Sequence, residues 1–427
     1  MSTSKEILKY LYGLERGGIK PGLERIERLV EALGNPQLAY PCVHVGGTNG
    51  KGSTAAMTAS ILMKAGYRVG LYTSPHLVRF SERIRINNRE ISNAALVKIA
   101  TRVRKAARSV PASTGSVSFF EFTTAMAFEY FRQERVDIAV IEVGMGGRWD
   151  ATNVVRPLVS VITTVDIDHT AYLGKSLAKI AVEKAGIIKK GVPVVCGESK
   201  AQAVGIIAKA ANAAGAPLYR LGTEFDMTDG AAGLSYRGIN GRIDRLKLGL
   251  VGGHQKRNAA CALAAVELLK EAGWRIPLKA IRDGLRGVSW PGRVEVLGCR
   301  PLVIIDSAHN PAGAATLSAS LALFRYKKLF LVLGIMADKD IDGIMSALAP
   351  LAHTVIVCVP VCDRAASLDV MRDRAASYGK EVITAASVTA ACKAALEAAS
   401  AADAVCVTGS IFTVGEARSY LLRVCGR

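Results

Sequence analysis

The chain has 427 residues, 50% of them apolar and only 6% aromatic, with 55 Lys and Arg against 36 Asp and Glu for a formal net charge of +19. That is enough for two or three domains with buried cores, and it excludes a membrane-spanning chain and a disulfide scaffold: no apolar run reaches the roughly 20 residues of a span, and the nine cysteines are dispersed apart from Cys358 and Cys362, which lack a second pair at zinc spacing. The opening MSTSKEILKYLYGLERGG is amphipathic and charged throughout, unlike a signal peptide, so a cytoplasmic chain with reduced thiols is expected.

Short apolar runs alternate with helical patterns almost from end to end, the signature of parallel strands joined by crossover helices. Residues 43–46 read as a strand, 53–65 as a helix closed by Gly66, and 68–72 as the next strand; further strands fit 136–143 and 158–165. Over about 218–253, turn signals and short alternating runs replace helices, which predicts a small antiparallel patch. Alternation resumes after Trp290-Pro291-Gly292-Arg293, with strands at 302–305, 329–333, 354–358 and 404–408 between Ala-rich helices. One sheet does not grow past its core limit, so a boundary is expected near 295, giving domains 1–294 and 295–427. The expected class is α/β: a phosphate-loop N-terminal domain with a mostly parallel sheet and a smaller Rossmann-like C-terminal domain.

Ligands of an open α/β sheet sit beyond the carboxyl ends of its strands. The first strand ends in GGTNGKGST, which is close to a phosphate loop, but Val45 stands where the usual first Gly would be and Gly52 separates Lys51 from Ser53. Its backbone N–H groups and the following helix N-terminus suit a phosphate, so Thr48, Asn49, Gly50, Lys51, Gly52, Ser53 and Thr54 would wrap the anion, with Lys51 as a point charge. The second strand is followed by Thr73 and Ser74. The third delivers Glu142 before a Gly-rich loop, and the fourth ends in Asp166, Asp168 and His169. A hydroxyl, a carboxylate and an imidazole beside a phosphate site are candidate metal ligands, although Mg²⁺ favours oxygen. Alone, Glu142 would read as a rim carboxylate pairing an Arg, and His169 as a surface residue. Of the six histidines, His76, His169, His254 and His309 fall at punctuated element ends, where function concentrates; His44, inside a strand, reads as a satisfied core residue.

With these residues in view, the sequence closely resembles the folylpolyglutamate synthase and dihydrofolate synthase family, within the Mur-type ATP-dependent amide ligases. The resemblance runs through HVGGTNGKGST, GLYTSPHLVRFSERIRI, FFEFTTAMAFEYF, EVGMGGRWDATNVV, DHTAYLG, EKAGIIK, GGHQKRNAA, WPGRVEV, IDSAHNPAG, GIMADKD and TGSIFTVGEA, in that order. The inserted Gly52 is this family's form of the loop. The resemblance implies ATP on that loop and Mg²⁺ held by Ser74, Glu142 and His169. It implies that Lys184 is carbamylated, although the sequence shows only a Lys in a helical pattern, whose plain reading is a solvated face. It assigns Asn258, Arg293 and Asp306 to ATP and His309 to the incoming amino acid. The pterin-bearing substrate is expected along Phe120, Glu121, Phe122 and Thr123 and the loop holding Asp150, with Ser410 a further substrate contact. The family's N-terminal sequence is an ATP-binding domain and its C-terminal one a glutamate-ligase domain; a monomer is expected.

The implied reaction forms an amide: ATP phosphorylates a folate or dihydropteroate carboxylate, and the α-amine of L-glutamate attacks the acyl phosphate. Dual-function relatives carry Asp-Leu-Gly before the LER helix, where this chain has Lys20-Pro21-Gly22, so dihydrofolate synthesis is expected to be weak or absent. The rivals are a Mur-type ligase acting on a peptidoglycan precursor and a phosphate-loop phosphotransferase or GTPase, which lacks support from the misplaced Gly52. A nucleic-acid binder is a third rival; against it, Lys and Arg are spread along the chain with no aromatic-basic motif, and the charge equally suits ATP or a chain of carboxylates.

Overall fold

Aliphatic runs buried along their whole length, such as Cys42–Gly46 and Ile138–Glu142, are what a sheet covered by helices on both faces requires. In the computed structural model, which describes residues 3–15, 21–230, 232–298 and 300–425, such runs form the centres of two sheets. Lys20, on which the expectation about dihydropteroate rests, lies outside the described residues. The chain divides into two compact units. One comprises Met1–His76, Phe80–Gly249 and Lys256–Val288; the other comprises Leu77–Arg79, Leu250–Gln255 and Ser289–Arg427.

The first unit holds β1 (Cys42–Gly46), β2 (Val69–Tyr72), β3 (Ile84–Ile86), β4 (Arg89–Glu90), β5 (Ile138–Glu142), β6 (Val159–Ile162), β7 (Val194–Cys196) and β8 (Leu218–Arg220). They form one sheet in the order β4-β3-β2-β5-β1-β6-β7-β8, parallel from β2 to β8 and antiparallel at the β3 and β4 edge. On one face the helix Phe119–Gln133 shares a core with the helices Ser4–Glu15, Glu24–Ala32 and Asn93–Ala107. Elsewhere the helices Leu177–Ala185 and Ala201–Ala213 pack on β6 and β7. The helix after β1, Lys51–Lys64, is buried almost all round. A helix of that kind needs close neighbours: at Gly284 of the helix Leu278–Gly287, a Cβ would stand 2.6 Å from the Ile61 Cα. The expected antiparallel patch is the sheet β9 (Asp226–Gly230), β10 (Gly233–Arg237) and β11 (Arg242–Leu246), whereas 218–220, counted with it from sequence, extends the parallel sheet as β8.

The second unit carries β12 (Glu295–Val296), β13 (Leu302–Ile305), β14 (Leu329–Leu333), β15 (Thr354–Cys358), β16 (Glu381–Ala385) and β17 (Ala404–Thr408). Their order is β12-β13-β17-β14-β15-β16, parallel except for the antiparallel edge strand β12, so the sheet is mixed. The helices Pro311–Leu321, Ile341–Leu348 and Leu368–Ala376 cover one face, and Val388–Ala398 and Ile411–Val424 the other. Seven cysteines are free, six of them buried as small hydrophobes, but Cys425 is disulfide-bonded where reduced thiols were expected throughout. Among the described residues no helix is long and apolar enough to cross a membrane.

Candidate active site

The turn between β1 and its helix works only because two glycines sit in the left-handed region. Gly47 has φ 139° and Gly50 φ 85°; a Cβ on the first would overlap the Thr163 hydroxyl, and on the second the Asn258 side-chain amide. The loop is sewn to the end of β6: Thr48 N–H donates to the Thr164 carbonyl at 2.7 Å, Asn49 N–H to Thr164 Oγ1 at 3.0 Å, and Thr163 Oγ1 to the Asn49 carbonyl at 2.7 Å. The Thr48 hydroxyl accepts from Asp166 N–H at 3.0 Å. The helix then opens at Lys51 with no side-chain cap, so its first N–H groups and positive dipole end face the loop mouth. Lys51 folds back over that mouth, donating to the carbonyls of Gly47 at 3.1 Å and Thr48 at 3.0 Å. Gly52, Ser53 and Thr54 are buried in the first helical turn, and Asn258 is buried against Gly50.

Strand register puts the other candidates on the same rim. Val45 of β1 is level with Glu142 of β5, Tyr72 of β2 with Ile141, and Gly46 with Ile162 of β6. Ser74 N–H donates to Glu142 Oε2 at 3.0 Å, which draws the ends of β2 and β5 together around a carboxylate only 5% exposed. Past β6, His169 sits at φ 50° at the start of the short helix Thr170–Leu173, its N–H on Asp168 Oδ1 at 2.8 Å and its Nε2 4.0 Å from Asp168 Oδ2. Among the described residues no three His, Cys, Asp or Glu side chains are grouped closely enough to hold a metal. Of the expected ligands, Ser74 meets Glu142 through its backbone N–H, and His169 follows β6. A hydroxyl and a largely desolvated carboxylate are the hard oxygen donors that Mg²⁺ or Mn²⁺ would take.

Lys184 is not on a solvated face. It lies in the helix Leu177–Ala185 and is 3% exposed. Burial, and next the Lys51 ammonium, push its pKa down to about 7, against the opposing pull of Asp168, Asp166 and Asp150. Gly147 permits the close approach: a Cβ there would stand 2.8 Å from the Glu183 carbonyl and 3.0 Å from that of Lys184.

On the expected substrate stretch the side chains divide. The helix Phe119–Gln133 begins with a capping box in which Ser118 Oγ accepts from Glu121 N–H and Glu121 accepts from Ser118 N–H. Glu121 also takes a buried Arg25 guanidinium at 3.0 Å, so its carboxylate is committed within the protein. Phe122 and Thr123 are wholly buried, Thr123 donating to the Phe120 carbonyl at 3.1 Å. Phe120 is the one of the four that is not buried, its ring lying where a Cβ on Gly144 would be. Asp150 is buried too, accepting from Met145 N–H at 2.9 Å and from both the N–H and the hydroxyl of Thr152. Burial raises its pKa against those donors. Arg83, which residue patterns did not single out, is buried with its guanidinium 5.2 Å over Phe119, and donates from Nε to His76 Nδ1 at 2.8 Å. Burial and that cation push His76 down to about 4, leaving it neutral.

In the second unit Asp306 follows β13, and Ser410 follows β17, the neighbouring strand. Asp306 is buried, accepting from Val294 N–H at 2.8 Å and Ala308 N–H at 2.9 Å; burial raises its pKa against the pull of Arg293 and His309. His309 Nδ1 lies 2.9 Å from the Ser307 carbonyl, so in the neutral ring Nδ1 carries the proton and Nε2 is the basic nitrogen. Ser410 is 1% exposed and caps the helix Ile411–Val424 by accepting from Thr413 N–H at 3.1 Å, which ties up its hydroxyl.

Comparison with known proteins gives a consistent set of relatives. The Mur ligase middle domain matches residues 45–266, and the Mur ligase glutamate ligase domain matches 292–411. The folylpolyglutamate synthase of Lacticaseibacillus casei is 40% identical over 369 residues, 84% of this chain and 86% of that one. Among solved structures, E. coli FolC in complex with DHPP and ADP superposes with a TM-score of 0.91 at 34% identity, covering 99% of this chain and 100% of the other. A bifunctional folylpolyglutamate synthase/dihydrofolate synthase with Mn, AMPPNP and L-glutamate bound, of the kind solved from Yersinia pestis, superposes with a TM-score of 0.88 at 33% identity, over 99% and 98% of the two chains.

Proposed function

The chain belongs to the folylpolyglutamate synthase/dihydrofolate synthase family of Mur ligases, and on that premise we propose that it adds L-glutamate to reduced folates at the expense of ATP. The observation that carries the reading is the shared rim of β2, β5, β1 and β6, where an uncapped helix start behind Gly47 and Gly50 lies in register with Glu142 and Ser74. A polyphosphate needs donors and positive charge, and phosphoryl transfer is mainly positioning and charge neutralisation. The loop N–H groups and Lys51 are assigned to the ATP phosphates, with Asn258, Arg293 and Asp306 as further nucleotide contacts. Ser74, Glu142 and His169 would hold the divalent metal, which when bound neutralises charge on the transferred phosphoryl group. The relatives solved with ADP, and with Mn, AMPPNP and L-glutamate, support the use of ATP and a divalent metal.

A carboxylate is a poor electrophile. Its oxygen attacks the γ-phosphorus of ATP, ADP leaves, and the acyl phosphate is attacked by the neutral α-amine of glutamate with loss of phosphate. His309 Nε2 is assigned the proton of that amine, since Asp306 is already engaged by two backbone donors. Phe120 and the loop at Asp150 are assigned to the pteroyl group, Glu121, Phe122 and Thr123 serving as the framework that sets Phe120. Ser410 fixes the helix start beside the glutamate end. The same reading has the enzyme act as a monomer in the cytoplasm, without nucleic-acid or membrane partners. Incubation with ATP, tetrahydrofolate and L-glutamate should give a product heavier by one glutamyl residue; activity only on a nucleotide-linked muramyl peptide would favour the peptidoglycan reading instead.

A further inference from the structure

His44 occupies the middle of β1, between Ile141 of β5 and Ser160 of β6, with no exposed surface. Its neighbours Val43 and Val45 are what a buried strand calls for; an imidazole there is costly unless its nitrogens are satisfied. Only one is. Nε2 lies 2.8 Å from Thr152 Oγ1, while Nδ1 has no hydrogen-bond partner, so the expectation of a satisfied core histidine is corrected.

The direction of the bonds follows from proton count. The Thr152 hydroxyl donates its single proton to Asp150 Oδ1, so the contact from His44 is Nε2–H donating to Thr152 Oγ1. Burial drives the His44 pKa down to about 3, which keeps the ring neutral through the physiological range. Beyond Thr152, Asp150 accepts from Met145 N–H at 2.9 Å and Thr152 N–H at 3.0 Å, which closes the loop of residues 144–150 on itself. That loop begins two residues after Glu142, and its Gly144 is the surface against which the Phe120 ring packs. The next turn is fastened independently, by Asn153 Nδ2 to the carbonyls of Arg148 and Gly186 and by Lys189 Nζ to the Asn153 carbonyl, so its general placement does not depend on His44.

We propose that His44 is a positioning residue for the pteroyl side of the site, acting through the Thr152 hydroxyl on Asp150 and the loop of residues 144–150. The assignment rests on the folate reading above for its substrate, and on this chain's hydrogen bonds for its path.

The test uses the full-length enzyme and four variants: His44→Leu, His44→Gln, whose amide nitrogen reaches like Nε2 and can donate, Thr152→Val, and the His44→Leu/Thr152→Val double. His44→Leu and Thr152→Val should each raise KM for tetrahydrofolate about tenfold, the scale of one hydrogen bond, while KM for ATP and kcat stay within about twofold. His44→Gln should recover most of the loss, and the double variant should be no worse than either single, because both cut one chain. Parallel rises in both KM values, an unchanged KM for folate in His44→Leu, or losses that multiply in the double variant would each overturn the proposal. Should His44→Leu fail to bind ADP, Thr152→Val and His44→Gln carry the decision. If the wild-type enzyme turns over no folate, the functional reading fails separately; nitrogen-15 NMR of the histidines then judges the path alone, which requires an Nε2–H ring at His44 that responds to Thr152→Val and is refuted by an Nδ1–H ring.

Discussion

Replacing Lys184 with Met should give a protein that is more stable near neutral pH and unable to turn over ATP. Burial, with the neighbouring Lys51, brings the pKa of Lys184 from the usual 10.5 down to about 7. Each unit is about 1.36 kcal/mol, so holding the charged form in the fold costs on the order of 5 kcal/mol, and at pH 7.5 the folded chain still forfeits a few kcal/mol relative to an unfolded chain that can protonate freely. Because the folded pKa lies below the unfolded one, this cost is complete below pH 7 and fades as the pH rises from 7 toward 10.5. Methionine has similar length and no charge to bury. Thermal unfolding in carbonate-free, metal-free buffer should therefore show the variant several degrees above wild type at pH 6–7.5, at about 2–4 °C per kcal/mol for units of this size, with the gap closing toward pH 10. A variant less stable than wild type at pH 6–7, or a gap that ignores pH, would refute the reasoning. The same depressed pKa leaves roughly three quarters of the amine neutral at pH 7.5 against about one part in a thousand for an exposed lysine, and the neutral amine is the form that adds carbon dioxide. Wild-type enzyme equilibrated with bicarbonate should carry that added mass on Lys184; a bare amine in the active enzyme would dismiss carbamylation.

Lys51→Ala should abolish ATP-dependent ADP release while leaving a cooperative unfolding transition, since the side chain is half-buried at the loop mouth and donates to the carbonyls of Gly47 and Thr48 rather than filling the core; near-normal ADP release would sink the phosphate-loop assignment. Arg25→Met leaves the Glu121 carboxylate buried without its cation, and chemical denaturation should show a loss of about 3–5 kcal/mol, much of it regained in Arg25→Met/Glu121→Gln; a loss below 1 kcal/mol would show that the pair is solvated. Turnover should favour tetrahydrofolate over dihydropteroate, because Lys20 offers only donors where an Asp could accept from the pterin; the missing charge-assisted bond is worth about 1.5–3 kcal/mol, and equal efficiency on both substrates would overturn the inference.

The strands at 302–305, 329–333, 354–358 and 404–408 were legible to the residue, because a strand buried on both faces is a bare aliphatic run. The edge strands were not. Arg89–Glu90, Leu218–Arg220 and Glu381–Ala385 are short or half-polar, and only their partners make them strands, as for Ile84–Ile86 one place in from the edge. In the site, the phosphate loop and Glu142 could be read from spacing at strand ends. What spacing could not reveal was which side chains the fold itself uses. Glu121 looks available in FFEFT, yet a capping box and Arg25 take it; Lys184 looks solvated in a helical pattern, yet the glycines opposite bring it inside; His44 looks inert, yet one nitrogen is committed and the other is not. Each depends on a partner distant in the chain, Arg25 for Glu121, Gly147 for Lys184 and Thr152 for His44, which a local pattern does not contain.

The account stands on a folate carboxylate being phosphorylated before glutamate attacks, and one labelling experiment reads that step. With tetrahydrofolate carrying oxygen-18 in its γ-carboxylate, unlabelled ATP and L-glutamate, the oxygen that attacks the γ-phosphorus should leave with it, so released phosphate should carry one carboxylate oxygen per amide formed. Phosphate without the label alongside glutamylated product would contradict the acyl phosphate, and ADP release that needs neither folate nor glutamate would contradict the assignment of the reaction itself.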